Sequence, residues 1–255
     1  LPNNTAKKSP LILTIYGSAW RSNSSKASNY IKKSLIKPLV EAGFAVASIN
    51  HRSSKDALFP AQIHDVKAAV RYLRGNASAY KIDTSFVGVT GSSSGGHLSA
   101  MAGTTSHNKM MEGNLGDFLD YDSHVDAVVD WFGPTDFLLM DICGSKMEHD
   151  AINSPESKLI GGAIQENKNK AIAANPITYI NNKTPPFLII HGMVDLTVPY
   201  CQSKVLKIAL DSESIESELI SVRDGGHGKN VFKEEFQDKM VIFFKNELNK
   251  PAINE

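Results

Sequence analysis

The run Phe86-Val87-Gly88-Val89-Thr90-Gly91-Ser92-Ser93-Ser94-Gly95-Gly96-His97 constrains this chain more than any other stretch. A short apolar, β-branched segment meets a Gly-x-Ser-x-Gly frame, and a small-residue helix start follows through Gly103. Strand, tight turn and helix in that order put Ser93 at a sharp corner with its hydroxyl above the strand's end. Gly91 and Gly95 omit the Cβ atoms that would clash where strand and helix close together. Only one frame fits, because centring it on Ser92 or Ser94 puts Thr90 or Ser92 where the first glycine must stand. An inert Ser/Gly turn rarely has an apolar strand on one side and a small-residue helix on the other. Ser93 therefore reads as a nucleophile.

Around that turn the apolar residues alternate between strand and helix periods. Leu11–Tyr16, Phe44–Asn50, Phe86–Thr90, Ala127–Phe132, Phe187–His191 and Glu216–Val222 read as strands. Asn29–Ala42, Pro60–Arg74 and Val231–Leu248 read as amphipathic helices, the first stopped by Gly43 and the second opened by proline. Near-continuous apolar strands separated by helices predict an α/β fold, a mostly parallel sheet with helices on both faces. The 255 residues suit a single domain, and 42% hydrophobic content suffices for its core. Residues 133–182 break the rhythm. They are polar and turn-rich, they follow a strand's carboxyl end, and they are expected to form a small cap-like insertion over the site.

A serine hydroxyl needs a base, and the base needs a group to fix its tautomer. Downstream of Ser93, the fifth strand runs into His191-Gly192-Met193-Val194-Asp195, and the sixth into Arg223-Asp224-Gly225-Gly226-His227-Gly228. The order Ser, acid, His assigns Ser93 as nucleophile, Asp195 as orienting carboxylate and His227 as general base and acid. Asp224 shares the loop of His227 but has no strand of its own to direct it. His97 and His191 read as packing residues, His149 as a solvated residue of the cap, and His51 and His64 lack partner patterns. Donors for a developing oxyanion are expected from the backbone of Ser94 and from Ser18 and Ala19 after the first strand. Gly17 and Trp20 are candidate substrate contacts, although Trp20 fits a plain core aromatic equally well.

Lys+Arg and Asp+Glu stand at 27 each, so no nucleic-acid or membrane partner is expected. No His, Cys, Asp or Glu cluster has metal-ligand spacing, and neither metal nor cofactor is expected. Cys143 and Cys201 allow one disulfide, and two buried thiols explain the pair as well.

Tyr16-Gly17-Ser18-Ala19-Trp20, Asp65–Leu73, Gly91–His97, His191–Asp195 and Gly226-His227 together resemble the α/β-hydrolases, specifically the bacterial acetyl-esterase/lipase branch related to hormone-sensitive lipase. Within it the chain is similar to carbohydrate-acting feruloyl and acetyl-xylan esterases, from Leu1 nearly to the C-terminus. The resemblance implies the α/β-hydrolase fold and a serine carboxylesterase removing acetyl or feruloyl-type groups from plant polysaccharide fragments. It implies a small ester or acylated carbohydrate as partner. Separately, a secreted or periplasmic place is slightly favoured over a cytoplasmic one, with no signal peptide visible in the chain. The resemblance also implies that edge strands precede Leu1, and that Cys143 and Cys201 meet and tie the cap to the Asp195 loop. One departure is clear: the family's His-Gly-Gly reads Tyr16-Gly17-Ser18 here. The alternatives are a broad short-acyl esterase, a prolyl-oligopeptidase-like peptidase and a non-catalytic binding module on the same fold.

Overall fold

Alternate residues of each strand face opposite sides of one sheet, and each side carries its own apolar core. In the computed structural model, which describes residues 1–2, 7–26 and 28–251, six strands form a wholly parallel sheet in the order β2-β1-β3-β4-β5-β6. They are β1 Ser9–Ile15, β2 Ala45–Ser48, β3 Ile82–Ser92, β4 Ala127–Trp131, β5 Phe187–Gly192 and β6 Ser217–Val222. Leu11, Leu13, Val87, Val89, Val128 and Ile189 enter one core. Their strand neighbours Ile12, Val129, Leu188 and Ile190 enter the other, with Phe244 and Met240. Period-two alternation thus fills both faces with apolar side chains, as a covered parallel sheet requires.

Five longer helical segments cover the sheet. The first, α1, runs without a break through Asn29–Ile31, Lys32–Ile36 and Lys37–Glu41, its middle five residues in π geometry. Pro38 explains that geometry, because it has no N–H to give the preceding turn and the ladder must stretch past it. Then come α2 Ala61–Gly75, α3 Ser94–Thr104, α4 Cys201–Ser212 and α5 Glu234–Leu248. The sequence reading overlooked α4, although Gln202, Leu206 and Leu210 line its buried side at four-residue spacing. The last helix begins later than its apolar pattern. Val231 is buried but lies ahead of the helix, so burial extends beyond the helical segment.

Residues 133–182 hold only short helical turns, among them Phe137–Leu139, Pro155–Ile160 and Lys168–Ala173. Phe137, Met140, Leu159, Ile160, Ile164 and Ala174 are buried in the same core as β1 and β3. A disulfide joins Cys143 to Cys201 at a Cα separation of 6.1 Å, tying this segment to the start of α4. Closing a loop of this length restricts the unfolded chain and is worth about 2–4 kcal/mol. The chain leaves β1 toward β2 on one side and returns to β3 on the other. The carboxyl ends of β1 and β3 therefore flank a switch point, where open α/β sheets bind ligands.

Candidate active site

Ser93 sits between β3 and α3 with φ 56° and ψ −125°. That is strained for a residue with a Cβ, and it is held because both neighbouring elements are anchored. The Ser93 amide donates to Trp131 O at 2.9 Å, and its carbonyl accepts from His97 N–H at 3.0 Å. The close approach depends on glycine. A Cβ on Gly95 would press on the backbone of Ile15 and Tyr16, and one on Gly17 would lie 2.6 Å from Ser92 O and 3.0 Å from Ser93 Cβ.

Three side chains from three loops form one hydrogen-bonded row. His227 Nδ1 lies 2.8 Å from Asp195 Oδ2, and His227 Nε2 lies 3.0 Å from Ser93 Oγ. An ionised carboxylate can only accept, so Nδ1 carries the proton and Nε2 accepts from the serine hydroxyl. Asp195 is well secured. Its Oδ1 accepts from the amides of Thr197 and Val198 at 2.8 and 3.0 Å. Burial works to raise its pKa, but hydrogen bonds from His191 and His227 outweigh that and hold the carboxyl well below the usual carboxylate range. Phe132 packs edge-on to the His227 ring, 4.8 Å between centroids. Asp224, the rival acid, instead accepts from Asn230 at 3.0 Å.

The loop after β1 behaves differently from its sequence expectation in one respect. The Ser18 amide does not face open space, because it donates to Ser94 Oγ at 2.9 Å. The short hydroxyl at the start of α3 reaches back across the gap and occupies it. Ala19 and Ser94 are left: among the described residues their amides have no intramolecular acceptor. Ala19 and Trp20 have positive φ, 52° and 54°, a left-handed pair that turns this loop over the nucleophile. Trp20 meets both descriptions offered by the sequence. It is 1% exposed within the core, yet it also lines a pocket beside Ser93.

The remaining histidines sort by their partners. His97 accepts from Trp20 Nε1 at 3.3 Å and donates through Nε2 to Ala174 O at 2.7 Å, so it bridges the loop after β1 and the 133–182 segment. Burial lowers its pKa to about 4 and keeps it neutral. His191 donates to Val198 O at 3.0 Å and sets the turn carrying Asp195. His149 is not solvated: it is 1% exposed, with Glu156 3.0 Å from Nδ1 and Thr197 O 3.0 Å from Nε2. Burial opposes its charging, but the Glu156 carboxylate prevails and holds the ring's pKa above its ordinary value. No sequence pattern announced this buried pair, because its members meet only through the fold of residues 133–182.

Asp130, at the end of β4, lies against Gly96 and accepts from Gly133 N–H at 2.9 Å. Burial pushes its pKa up to about 7, only partly opposed by that hydrogen bond. A raised folded value means that the contribution of Asp130 to stability is fully present below the ordinary carboxylate pKa and is lost as pH rises from there to about 7. Asp130→Asn should therefore gain on the wild type as pH rises through that window, measured as the difference in Tm between pH 4 and pH 8.

Two spaces meet at Ser93. One is an open cleft of about 530 Å³ lined by Tyr30, Phe132, His227, Gly228 and Lys229. The other is a closed pocket of about 50 Å³ lined by Trp20, Ser94, Pro134, Met147, His149 and Glu156. A larger groove of about 590 Å³ follows the free edge of β2, away from all three residues of the row, and has no part in the site. Among the described residues no group of His, Cys, Asp and Glu could hold a metal ion.

A parallel sheet, a strained serine turn after β3, and an acid and a histidine on the loops after β5 and β6 define an α/β-hydrolase. The profile of the BD-FAE family matches residues 1–210, and the chain belongs to that family. The resemblance to the esterase branch drawn from the motifs is thereby borne out. A solved truncated carbohydrate esterase from gut microbiota is 45% identical, with a TM-score of 0.92 over 98% of this chain and 90% of that one. A bifunctional GH43-CE protein of Bacteroides eggerthii is 46% identical, TM-score 0.91, over 97% of this chain and 32% of its own. Esterase LipQ of Mycobacterium tuberculosis is 29% identical over 205 residues, 80% of this chain and 46% of LipQ. The chain thus spans less than half the length of the curated relatives it matches, 43% for the carboxylic ester hydrolase LipM.

Proposed function

We propose that the protein is a serine carboxylesterase that removes acetyl groups from acylated carbohydrate. The carrying observation is the Asp195–His227–Ser93 row standing between a very small closed pocket and a large open cleft. His227 Nε2 takes the Ser93 proton as Oγ attacks the ester carbonyl. The carbonyl oxygen becomes an oxyanion facing the Ala19 and Ser94 amides. His227 then returns the proton to the departing alcohol, which leaves an acyl group on Ser93, and water repeats the sequence to release the acid. Asp195 keeps the imidazole in the right tautomer and stabilises the imidazolium.

Proton return fixes which space holds which half of the ester. The alcohol must lie on the His227 side, in the open cleft. The acyl group then lies in the pocket of about 50 Å³ behind Ser94. A cavity that admits benzene is about 150 Å³, so the pocket favours a methyl group over a feruloyl ring. The likeness to a solved carbohydrate esterase and to a bifunctional GH43-CE protein supports a sugar as the alcohol.

A panel of esters tests this reading. Because one added methylene in a tight pocket costs about 10–200-fold, kcat/KM for p-nitrophenyl acetate should exceed that for the butyrate by at least about tenfold. Acetylated xylan should lose acetate, and methyl ferulate should be a poor substrate. Faster turnover of methyl ferulate than of acetate esters would overturn the assignment of the small pocket. Binding with no ester turnover at all would favour the binding-module alternative.

A further inference from the structure

The leaving alcohol has a wide space to itself, and one side chain there is built unlike the rest. Tyr30, the second residue of α1, lines the cleft with Ser93, His227 and Lys229. The residue is 49% exposed, whereas the aromatics behind it, Trp131 and Phe132, are 0% and 2% exposed. Tyr30 is nevertheless braced. It packs T-shaped on Phe232 at 5.2 Å, and Phe232 stacks on Trp131 at 4.6 Å. Among the described residues the Tyr30 hydroxyl makes no hydrogen bond, although burial pushes its pKa up to about 12, and the residue stands half-exposed at the cleft. The lining of the same cleft also includes Ser18, Thr197 and Lys229.

We infer that Tyr30 is the stacking platform of a sugar subsite, holding the pyranose ring of the leaving alcohol across the cleft from His227. The inference rests on the acetyl-esterase reading and adds to it where the carbohydrate sits. A pyranose has one face of C–H groups and a rim of hydroxyls. The face covers the tyrosine ring, whose apolar surface otherwise stays hydrated, and the rim meets the polar wall. Pre-positioning costs little, since the Phe232 contact already restricts the ring.

The test separates sugar recognition from chemistry. Wild type, Tyr30→Ala and Tyr30→Phe are compared on acetylated xylo-oligosaccharide and on ethyl acetate, whose alcohol cannot stack. A p-nitrophenyl ester is unsuitable because its own ring could occupy the platform. Tyr30→Ala should lower the ratio of kcat/KM for the two substrates by about tenfold, through KM of the oligosaccharide, while Tyr30→Phe keeps the ratio. Equal loss on both esters, no loss on either, or a Phe variant as poor as the Ala variant overturns the platform. Calorimetry of xylotetraose binding gives a readout free of turnover. On a Ser93→Ala background, Tyr30→Ala should weaken binding by about tenfold. Undiminished binding counts against Tyr30 alone, whereas wild-type failure on ethyl acetate counts against the esterase reading.

Discussion

Replacing Ser93 by Ala is expected to lower kcat on p-nitrophenyl acetate by about 10⁵–10⁶-fold, with the far-ultraviolet circular dichroism and Tm close to wild type. The loss is large because the row acts as a unit. Without Oγ there is no acyl intermediate, and the His227 imidazole, oriented through Nδ1 by Asp195, has nothing to deprotonate. What remains is the contribution of the Ala19 and Ser94 amides and of binding, about 10³–10⁴ over water in comparable systems. The fold should tolerate the change, because alanine at φ 56° is no more strained than serine and the Oγ has no structural partner besides His227. For the same reason Ser93→Ala combined with His227→Ala should be little worse than Ser93→Ala alone. Turnover surviving in the single variant would place the chemistry elsewhere.

The largest expected loss of stability comes from a site remote from Ser93. Lys67 and Arg71, one turn apart on α2, are 0% and 2% exposed. Both pair with the carboxylate of Glu112, Lys67 at 3.2 Å, and Glu112 also accepts from Ser123 Oγ at 2.6 Å. Further contacts come from the backbone and from Ser123: Thr105 O accepts from Lys67 at 3.1 Å, Ser123 Oγ from Lys67 at 3.3 Å, and Leu115 O from Arg71 at 3.0 Å. Burial lowers the Lys67 pKa, and Glu112 opposes that. Removing one partner of a buried pair costs about 3–5 kcal/mol, because the uncompensated charge stays out of water. Glu112→Ala strands two cations, so its loss in urea unfolding should fall at the upper end of that range. The pH dependence has a definite sign. Burial tends to raise the Glu112 pKa, but Ser123, Lys67 and Arg71 together hold it below its ordinary value. Its contribution is therefore present above the unfolded carboxyl value near pH 4.5 and fades as pH falls through the folded one. The variant's stability should lose that acid limb.

Neighbours along the chain carried most of what was legible beforehand. The six strands and their order in sequence follow from apolar period, and Ser93 from a five-residue frame in which sterics permit little else. Asp195 and His227 were legible because strand ends in a parallel sheet converge on one edge. By contrast, Lys67 and Arg71 read as ordinary charges of an amphipathic helix, and the Glu112 that buries them lies on a separate short helix, Lys109–Glu112. His149 read as solvated for the same reason. Its partners Glu156 and Thr197 come from the helical turn Pro155–Ile160 and from the loop after β5.

The oxyanion loop marks the boundary most clearly. Small residues after β1 announce that a backbone can approach the nucleophile, because any Cβ at Gly17 would collide with the Ser92–Ser93 turn. Which amides are free to serve an oxyanion was decided by the tertiary structure, where Ser94 Oγ takes the Ser18 amide and leaves Ala19 and Ser94. By itself the sequence determined the sheet, the strained Ser93 turn and the chain order of Ser93, Asp195 and His227, since these depend on local sterics and periodicity. The small pocket beside Ser93, the half-exposed Tyr30 at the cleft and the buried charges belong to the tertiary structure. They depend on distances between side chains far apart in the chain, which no local pattern records.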